Sequence, residues 1–120
     1  IFNPWSDGKR EFRNESLMGR TFNAMEEAAP GMRDVADRVQ MFLYRVPEEF
    51  YDFENDPSGL NNLIDDPDYA DEVDRLRQGM VGWMERTGDS ALEVLQNRTS
   101  QEARDAYLDR LAEEIGIREN

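Results

Sequence analysis

A helix start at Asp66-Pro67, with aspartate as the cap and proline at the first helical position, is the feature that most constrains the fold of this chain of 120 residues. An Asp side chain can accept hydrogen bonds from the free backbone N–H groups of a first helical turn, and proline suits its first position. Apolar residues then recur every three or four positions until Gly88, which is typical of one long amphipathic helix. We expect its buried face to consist of Tyr69, Val73, Leu76, Met80, Trp83 and Met84.

Three further segments carry helical signals. Apolar residues at spacings of three and four predict an amphipathic helix over residues 32–43, and Pro47 prevents its continuation. Thr21 can cap a short helix before it. The patterns Ser-x-x-Glu at Ser90 and Thr-x-x-Glu at Thr99 fit the capping box, so we expect a short helix and a terminal helix there.

Between these helices the sequence favours a little β-structure. The aromatic run from Phe50 to Phe53 favours a strand, and Ile1-Phe2-Asn3 is typical of the tail of another. Asp56-Pro57-Ser58-Gly59 has the residue preferences of a type I turn. The sequence therefore predicts an α+β fold that is mostly helical, with remnants of a small antiparallel sheet packed on the long amphipathic helix. Since the first strand has no beginning, we expect a fragment of a longer polypeptide.

Histidine and cysteine are both absent. A Ser-His-Asp relay, a histidine general base, thiol catalysis and the usual zinc sites therefore cannot be built. Independent catalysis would depend on carboxylates, tyrosine, arginine or the single lysine, Lys9. Because no pair of carboxylates is marked for burial together, the sequence disfavours a self-sufficient hydrolase.

The formal net charge of −13 argues against binding to nucleic acid or to an anionic membrane surface. No apolar run approaches the roughly 18 residues that span a bilayer. The first five residues lack the basic and apolar regions of a signal peptide. We therefore expect a soluble chain with neither a nucleic-acid nor a membrane partner, in a compartment that the sequence leaves open.

An acidic cluster that begins at Asp52 raises the question of a calcium site. An EF-hand loop requires glycine at its sixth position and glutamate at its twelfth. Counting from Asp52, those positions hold Pro57 and Leu63. We therefore interpret these carboxylates as turn formers and helix caps.

The segment from Trp5 to Arg20 is a candidate binding loop, because it concentrates basic residues in an acidic chain. Arginine forms charge-assisted, bidentate hydrogen bonds to oxyanions, and tryptophan can stack on a sugar ring. We therefore select Trp5, Arg10 and Arg13 as candidate substrate-binding residues. The alternative is an ordinary surface loop whose arginines pair with nearby acids.

A recognisable pattern links the aromatic run to the long helix. Its residues are Glu49, Tyr51, Asp52, Asn55, Asp56, Pro57, Asn62, Leu63, Pro67 and Tyr69. This pattern resembles the C-terminal subdomain of sulfatases, which shows a Glu-Leu-Tyr-Asp-Leu strand, an Asn-Asp-Pro turn, an Asn-Leu pair and a proline-rich start to a long helix. Phe50 and Phe53 replace the usual leucines.

The preceding residues narrow the resemblance. Residues 1–10, the Asn14-Glu15-Ser16 loop and residues 42–49 are similar to the N-sulfoglucosamine sulfohydrolase (heparan N-sulfatase, sulfamidase) type. The likeness extends to about residue 90. We therefore expect residues 1–89 to form a C-terminal sulfatase-like subdomain, a fragment without the N-terminal catalytic domain. We expect residues 90–120 to form a helical C-terminal extension.

The resemblance implies a parent enzyme that hydrolyses sulfate esters or sulfamates of sugars. Such enzymes use a formylglycine, made from Cys or Ser in a Cys/Ser-x-Pro-x-Arg motif, beside a calcium ion. This chain has no such motif, so the resemblance assigns it no catalytic and no metal-binding residue, and the chain alone should be inactive. The implied partners are its own N-terminal catalytic domain and, in the full-length enzyme, a sulfated saccharide.

The resemblance thus implies an accessory subdomain that supports the catalytic domain and shapes its substrate pocket. The alternative is a non-catalytic helical interaction or oligomerisation module. Gly79 and Gly82 interrupt the long helix at a cost of roughly 1 kcal/mol each relative to alanine. We therefore expect another element to approach the helix closely at these glycines.

Overall fold

The computed structural model of the chain describes residues 1–116, and most of these residues are helical. Within that range the α-helices are α1 (Arg20–Ala28), α2 (Arg33–Leu43), α3 (Ala70–Thr87), α4 (Leu92–Gln96) and α5 (Gln101–Glu114). Short 3-10 helices cover Glu15–Met18, Ala29–Gly31 and Pro67–Tyr69. The chain divides into two compact units: the first contains Ile1–Trp5 and the chain from Pro47 onward, and the second contains Ser6–Val46.

The predicted α+β fold with an antiparallel sheet remnant is wrong. Among residues 1–116 there is no strand, and the β-pairing is one isolated antiparallel bridge between Phe2 and Glu48. The aromatic run that begins at Phe50 has no neighbouring strand. Instead, the amide oxygen of Asn62 accepts the Phe50 N–H at 2.9 Å, and the Phe50 carbonyl accepts the Leu63 N–H at 2.8 Å. These bonds satisfy the Phe50 backbone without a β-ladder, so tertiary context overrides its strand propensity.

The predicted start and end of the long helix are confirmed. The Asp66 carboxylate accepts the Asp68 N–H at 2.9 Å, and a 3-10 turn leads directly into α3. At the other end, Gly88 has a left-handed φ of 67° and donates its N–H to the Met84 carbonyl. No helix in residues 1–116 combines the length and the apolar character that crossing a bilayer requires.

The predicted buried face of α3 is only partly correct. Val73 and Met84 are buried, but Leu76 is 45% exposed and Trp83 is 61% exposed. The close approach expected at Gly79 is absent, since no described atom outside its own helical surroundings lies within 4 Å of a Cβ built there. The apolar stripe of α3 is therefore wider than the surface that the described part of its unit covers.

The core of the first unit lies where α3, α4 and α5 meet. α4 is short, but it contributes two buried residues: Leu95 and Val94, which is fully buried at 0% exposure. α5 contributes Tyr107, and Phe2 packs against the same cluster. The buried members of this core are Met84, Ala91, Val94, Leu95 and Tyr107.

The second unit has its own small core between α1 and α2. Its buried members are Phe22, Val39 and Leu43, and the rings of Phe22 and Phe42 lie 5.4 Å apart. The loop before α1 is held against the end of α2, because the Phe12 N–H donates to the Leu43 carbonyl at 2.7 Å. The predicted helix over residues 32–43 is confirmed as α2.

We predicted a boundary between residues 89 and 90, where the sulfatase-like subdomain would end and the helical extension would begin. This boundary rests on the resemblance to a family, and it stays a prediction. In the structure the residues on both sides of it, including α3 and α4, belong to the first unit.

A matched pair of glycine substitutions tests the account of α3. Gly79→Ala should raise the free energy of unfolding by about 0.5–1 kcal/mol, because alanine is the better helix former and the site is open. Gly88→Ala should lower it by about 1–2 kcal/mol, because alanine disfavours the left-handed conformation at φ 67°. Urea denaturation measures both. Destabilisation by Gly79→Ala would show that this face of α3 is not open.

Candidate functional site

The candidate binding residues Trp5, Arg10 and Arg13 fall into different units of the structure. Trp5 is half-buried and ends the first segment of the first unit. Arg10 and Arg13 lie on the loop that leads into the helices of the second unit. The two arginines are both exposed, whereas Trp5 is not.

A tight turn at Asp7 presents the basic part of this loop. One Asp7 carboxylate oxygen accepts the N–H of Lys9 at 2.9 Å and that of Arg10 at 2.8 Å. Gly8 has a left-handed φ of 74°, which glycine adopts without steric cost, and donates its N–H to the Arg45 carbonyl at 3.1 Å. The turn is thereby fixed to the residues after α2, while the Lys9 residue remains exposed.

Both arginines have acidic neighbours on the same loop. Arg10 Nη1 lies 3.5 Å from Asp7, and Arg13 Nη2 lies 3.6 Å from Glu11. This is the pairing that the ordinary-loop interpretation expects. The Arg13–Glu11 pair is exposed, and exposed pairs contribute only about 0–1 kcal/mol, so a ligand oxyanion can compete for the Arg13 guanidinium.

An open depression adjoins this turn within the second unit. It has a volume of about 470 Å³ and is lined by Gly8, Gln40, Met41 and Tyr44. Tyr44 and Met41 are half-buried, and Gln40 is exposed. The sequence reasoning missed this feature. Tyr44 lies just after α2, but the facing turn at Gly8 is distant in sequence, so no local pattern marked the depression.

The net negative charge of the chain is confined to the first unit's sequence. Residues 6–46 contain seven basic and seven acidic residues, so this segment is neutral. The remaining residues contain seven basic and twenty acidic residues, which account for the whole formal charge of −13. An anionic ligand therefore meets less repulsion at the second unit than at the first.

The resemblance pattern at residues 49–69 is a hydrogen-bonded scaffold. Glu49 is buried at 3% exposure, and its two carboxylate oxygens accept the Asn3 amide at 2.7 Å and the Tyr51 hydroxyl at 2.6 Å. A buried carboxylate must be paired in this way to offset its desolvation. Glu49 thus ties the first residues of the chain to the pattern.

Other members of the pattern close the turns. One carboxylate oxygen of Asp56 accepts the N–H groups of Leu60 and Asn61, each at 2.8 Å. The Asn62 amide oxygen accepts the N–H of Ile64 at 3.2 Å in addition to that of Phe50. These side chains are occupied by the backbone, so their role is structural.

Asp52 and Tyr69 connect the pattern to the start of α3. The Asn55 amide donates to Asp52 at 2.7 Å and the Tyr69 hydroxyl donates to it at 3.0 Å. These bonds, with that from Asn55 the larger cause, lower the pKa of Asp52 below its ordinary value of 3.8. The same bond to Asp52 raises the pKa of Tyr69 above 10.0, because ionisation would bring two negative oxygens together.

Glu48 forms the most connected ion pair of the first unit. Arg77 of α3 binds it with two hydrogen bonds of 2.7 and 3.0 Å, and Arg98 lies 3.3 Å from it. The hydrogen bond to Glu48 is the largest cause of the raised pKa of Arg77, and Asp74 adds to it. Because bidentate pairs fix orientation, Glu48 holds the segment before the pattern against α3.

The acidic residues of the described chain do not converge on a cation. Within residues 1–116, no three side chains of the metal-ligating types lie together so as to hold a metal ion. The residues present therefore do not fit the calcium centre that the resemblance implies for a parent enzyme.

A small cavity of about 40 Å³ in the first unit is mainly apolar, and it is lined by Ile1, Phe2, Glu48, Glu49, Phe50, Ile64, Val73, Leu76, Arg77, Met80 and Leu95.

Comparison with known proteins finds one relationship to a sulfatase. An ulvan-active sulfatase of Formosa agariphila is 43% identical to this chain over 42 residues. The aligned part is 35% of this chain and only 8% of that sulfatase. No family model matches the chain, and no solved structure matches it. The sequence is therefore sulfatase-like over a short segment, and this likeness does not single out the N-sulfoglucosamine type.

The Asp52–Tyr69 bond predicts a characteristic pH dependence of stability. The contribution of Asp52 is present above pH 3.8 and is lost as the pH falls through its lowered folded pKa. The contribution of Tyr69 is present below pH 10.0 and is lost as the pH rises through its raised folded pKa. Tyr69→Phe should therefore be less stable than the wild type near pH 7, and the difference should shrink at both extremes.

Urea denaturation across the pH range measures this difference, and a double-mutant cycle supplies the control. In the Asp52→Asn background, Tyr69→Phe should lose the acidic part of its pH dependence, since no titrating carboxylate remains. A difference that stays constant from pH 3 to pH 7 would contradict the assignment of the bond.

Proposed function

We propose that this chain is an accessory, C-terminal subdomain of a sulfatase-type hydrolase that acts on sulfate esters or sulfamates of sugars. The observation that carries the proposal is the 43% identity over 42 residues to an ulvan-active sulfatase. The chain spans 8% of the length of that relative, so the activity proposed here belongs to a larger protein. An N-sulfoglucosamine-like substrate is the finer form of the proposal, and the similarity of residues 1–10 and 42–49 supports it.

The chemistry of the chain supports an accessory role. Its sequence has neither histidine nor cysteine, and the residues of its sulfatase-like pattern are occupied as caps, turn formers and a buried carboxylate. We propose that formylglycine and calcium belong to the catalytic domain of the parent enzyme. The role of this chain is then to support that domain and to contribute side chains to the substrate pocket.

The second unit is the part of the chain suited to a sulfated ligand. It is neutral, whereas the remainder carries the whole negative charge. Arg10 and Arg13 are exposed, and their acidic neighbours lie at 3.5 and 3.6 Å. Guanidinium groups bind tetrahedral oxyanions through paired N–H donors. These two arginines would bind the sulfate group of a sugar.

Kinetics of the full-length enzyme test this proposal. The coding sequence upstream of Ile1 should contain a Cys/Ser-x-Pro-x-Arg motif. In the protein encoded by the whole reading frame, Trp5→Ala, Arg10→Ala and Arg13→Ala together should lower kcat/KM for N-sulfoglucosamine about tenfold or more, since each charged hydrogen bond contributes about 1.5–3 kcal/mol. The present chain alone should show no turnover.

Arg33→Ala is a matched control, because Arg33 is an exposed arginine of the same unit on α2. It should leave kcat/KM unchanged. An unchanged kcat/KM in the triple variant would refute the pocket role, and turnover by the chain alone would refute the accessory role. Equal activity on O-sulfated and N-sulfated sugars would retain the sulfatase proposal and remove the N-sulfoglucosamine form.

A helical interaction module is the second candidate function, and the exposed face of α3 favours it. Leu76 is 45% exposed and Trp83 is 61% exposed on this helix, and Gly79 between them faces open space. A depression of about 230 Å³ borders this face and is lined by Phe2, Pro4, Met80, Trp83, Met84, Asp89 and Ala91. An exposed aromatic beside an apolar depression is typical of a protein-binding surface.

Light scattering after size exclusion separates the two candidates. An oligomerisation module should form a dimer or larger species that Trp83→Glu dissociates, because the substitution places a charge in the apolar contact. Gln78→Glu, at an exposed position of the same helix, is the charge-matched control. A monomer at all concentrations favours the accessory subdomain and contradicts self-association.

A further inference from the structure

The open depression at the end of α2 has a volume of about 470 Å³ and is lined by four residues. Gln40 and Met41 line it from α2, Tyr44 follows that helix, and Gly8 comes from the facing turn. All four residues belong to the second unit, so the depression is defined without the rest of the chain.

The lining residues offer apolar surface for the C–H face of a sugar ring and polar groups for its hydroxyl groups. Tyr44 and Met41 are half-buried and supply aromatic and aliphatic surface, against which the C–H face of a pyranose can pack. The exposed Gln40 carries an amide that both donates and accepts, as ring hydroxyl groups require. No carboxylate is among the residues that line the depression.

The wall formed by Gly8 is followed in the chain by a lysine. Lys9 is the next residue after Gly8 and is exposed. The neighbouring Asp7 carboxylate accepts the backbone N–H groups of Lys9 and Arg10, and it lies 3.5 Å from the Arg10 guanidinium. An ammonium on a flexible stem is a suitable partner for a sulfate group whose position varies.

The wall is fixed, which limits the cost of ordering it around a ligand. The Gly8 N–H donates to the Arg45 carbonyl at 3.1 Å, and the Ser6 hydroxyl donates to the same carbonyl. The Tyr44 N–H in turn donates to the Gln40 carbonyl at 2.8 Å. Preorganised walls retain more of the contact energy as binding free energy.

We propose that this depression is a subsite for one sulfated hexose residue, with Tyr44 packing on the ring, Gln40 bonding its hydroxyl groups and Lys9 facing its sulfate. This inference rests on the proposed function, and it adds a place and a set of side chains that the candidate residues Trp5, Arg10 and Arg13 do not include.

Amide NMR titration of the 120-residue chain tests the subsite directly. Glucosamine N-sulfate should shift the backbone resonances of residues 8, 9, 40, 41 and 44, with saturation. N-acetylglucosamine and inorganic sulfate should each bind at least about tenfold more weakly, because each lacks one of the two recognised groups. Equal binding of inorganic sulfate would overturn the saccharide assignment, and equal binding of N-acetylglucosamine would overturn the role of Lys9.

Substitutions in the lining separate recognition from folding. Gln40→Glu is isosteric and adds a negative charge, so it should weaken glucosamine N-sulfate binding about tenfold or more. Asn23→Asp is the control, because it makes the same charge change at an exposed position of α1 in the same unit. Tyr44→Phe should retain the affinity and Tyr44→Leu should reduce it, with the Tm of each variant recorded to confirm folding. Equal losses in Gln40→Glu and Asn23→Asp would overturn the subsite.

Failure of the subsite in the NMR titration can be distinguished from failure of the accessory role in the kinetic test. Shifts confined to residues outside the depression, or the absence of any shift, would refute the subsite. Either result would leave the accessory role standing if the Trp5, Arg10 and Arg13 variant still lowers kcat/KM.

Discussion

Two adjacent glutamates, Glu48 and Glu49, hold the first unit together. Glu49 is buried, and the hydrogen bonds that Asn3 and Tyr51 donate to its two oxygens help to offset its desolvation. Glu48 accepts two hydrogen bonds from Arg77 of α3. The first residues of the chain, the irregular aromatic segment and the long helix are thereby connected through one dipeptide, and Phe2 next to Asn3 also packs against the core.

The residues of the sulfatase-like pattern differ from those proposed to bind substrate. The residues of the pattern form hydrogen bonds to the backbone and to other side chains, as Asp56 and Asn62 do by accepting two N–H groups each. Residues occupied in this way are poor candidates for binding substrate. The candidate arginines, Arg10 and Arg13, belong instead to the second unit, where acidic and basic residues balance. The scaffold and the proposed binding surface are therefore in different parts of the chain.

The sequence predicted part of the candidate site from residue types alone. It selected Arg10 and Arg13 because guanidinium groups bind oxyanions, and their binding role stays a prediction. It also expected acidic neighbours as the alternative, and the structure shows them at Asp7 and Glu11. Tyr44 was missed, because its value comes from the depression that the Gly8 turn forms beside it. Such a neighbour is distant in sequence and leaves no local pattern.

Local signals determined the two ends of the long helix and the course of α2, whereas the predicted caps Thr21, Ser90 and Thr99 are replaced by Gly19, Ala91 and Ser100. The Asp66 cap, the left-handed Gly88 and the apolar stripe of α2 act over one or two turns, so the sequence alone set these elements. Only the tertiary structure decided that the segment after Phe50 forms no sheet and that Trp83 stays exposed. Both depend on what the rest of the chain supplies: Asn62 satisfies the Phe50 backbone, and the described residues leave Trp83 uncovered. Strand pairing and the choice of buried face are non-local, which is why periodicity and propensity could not settle them.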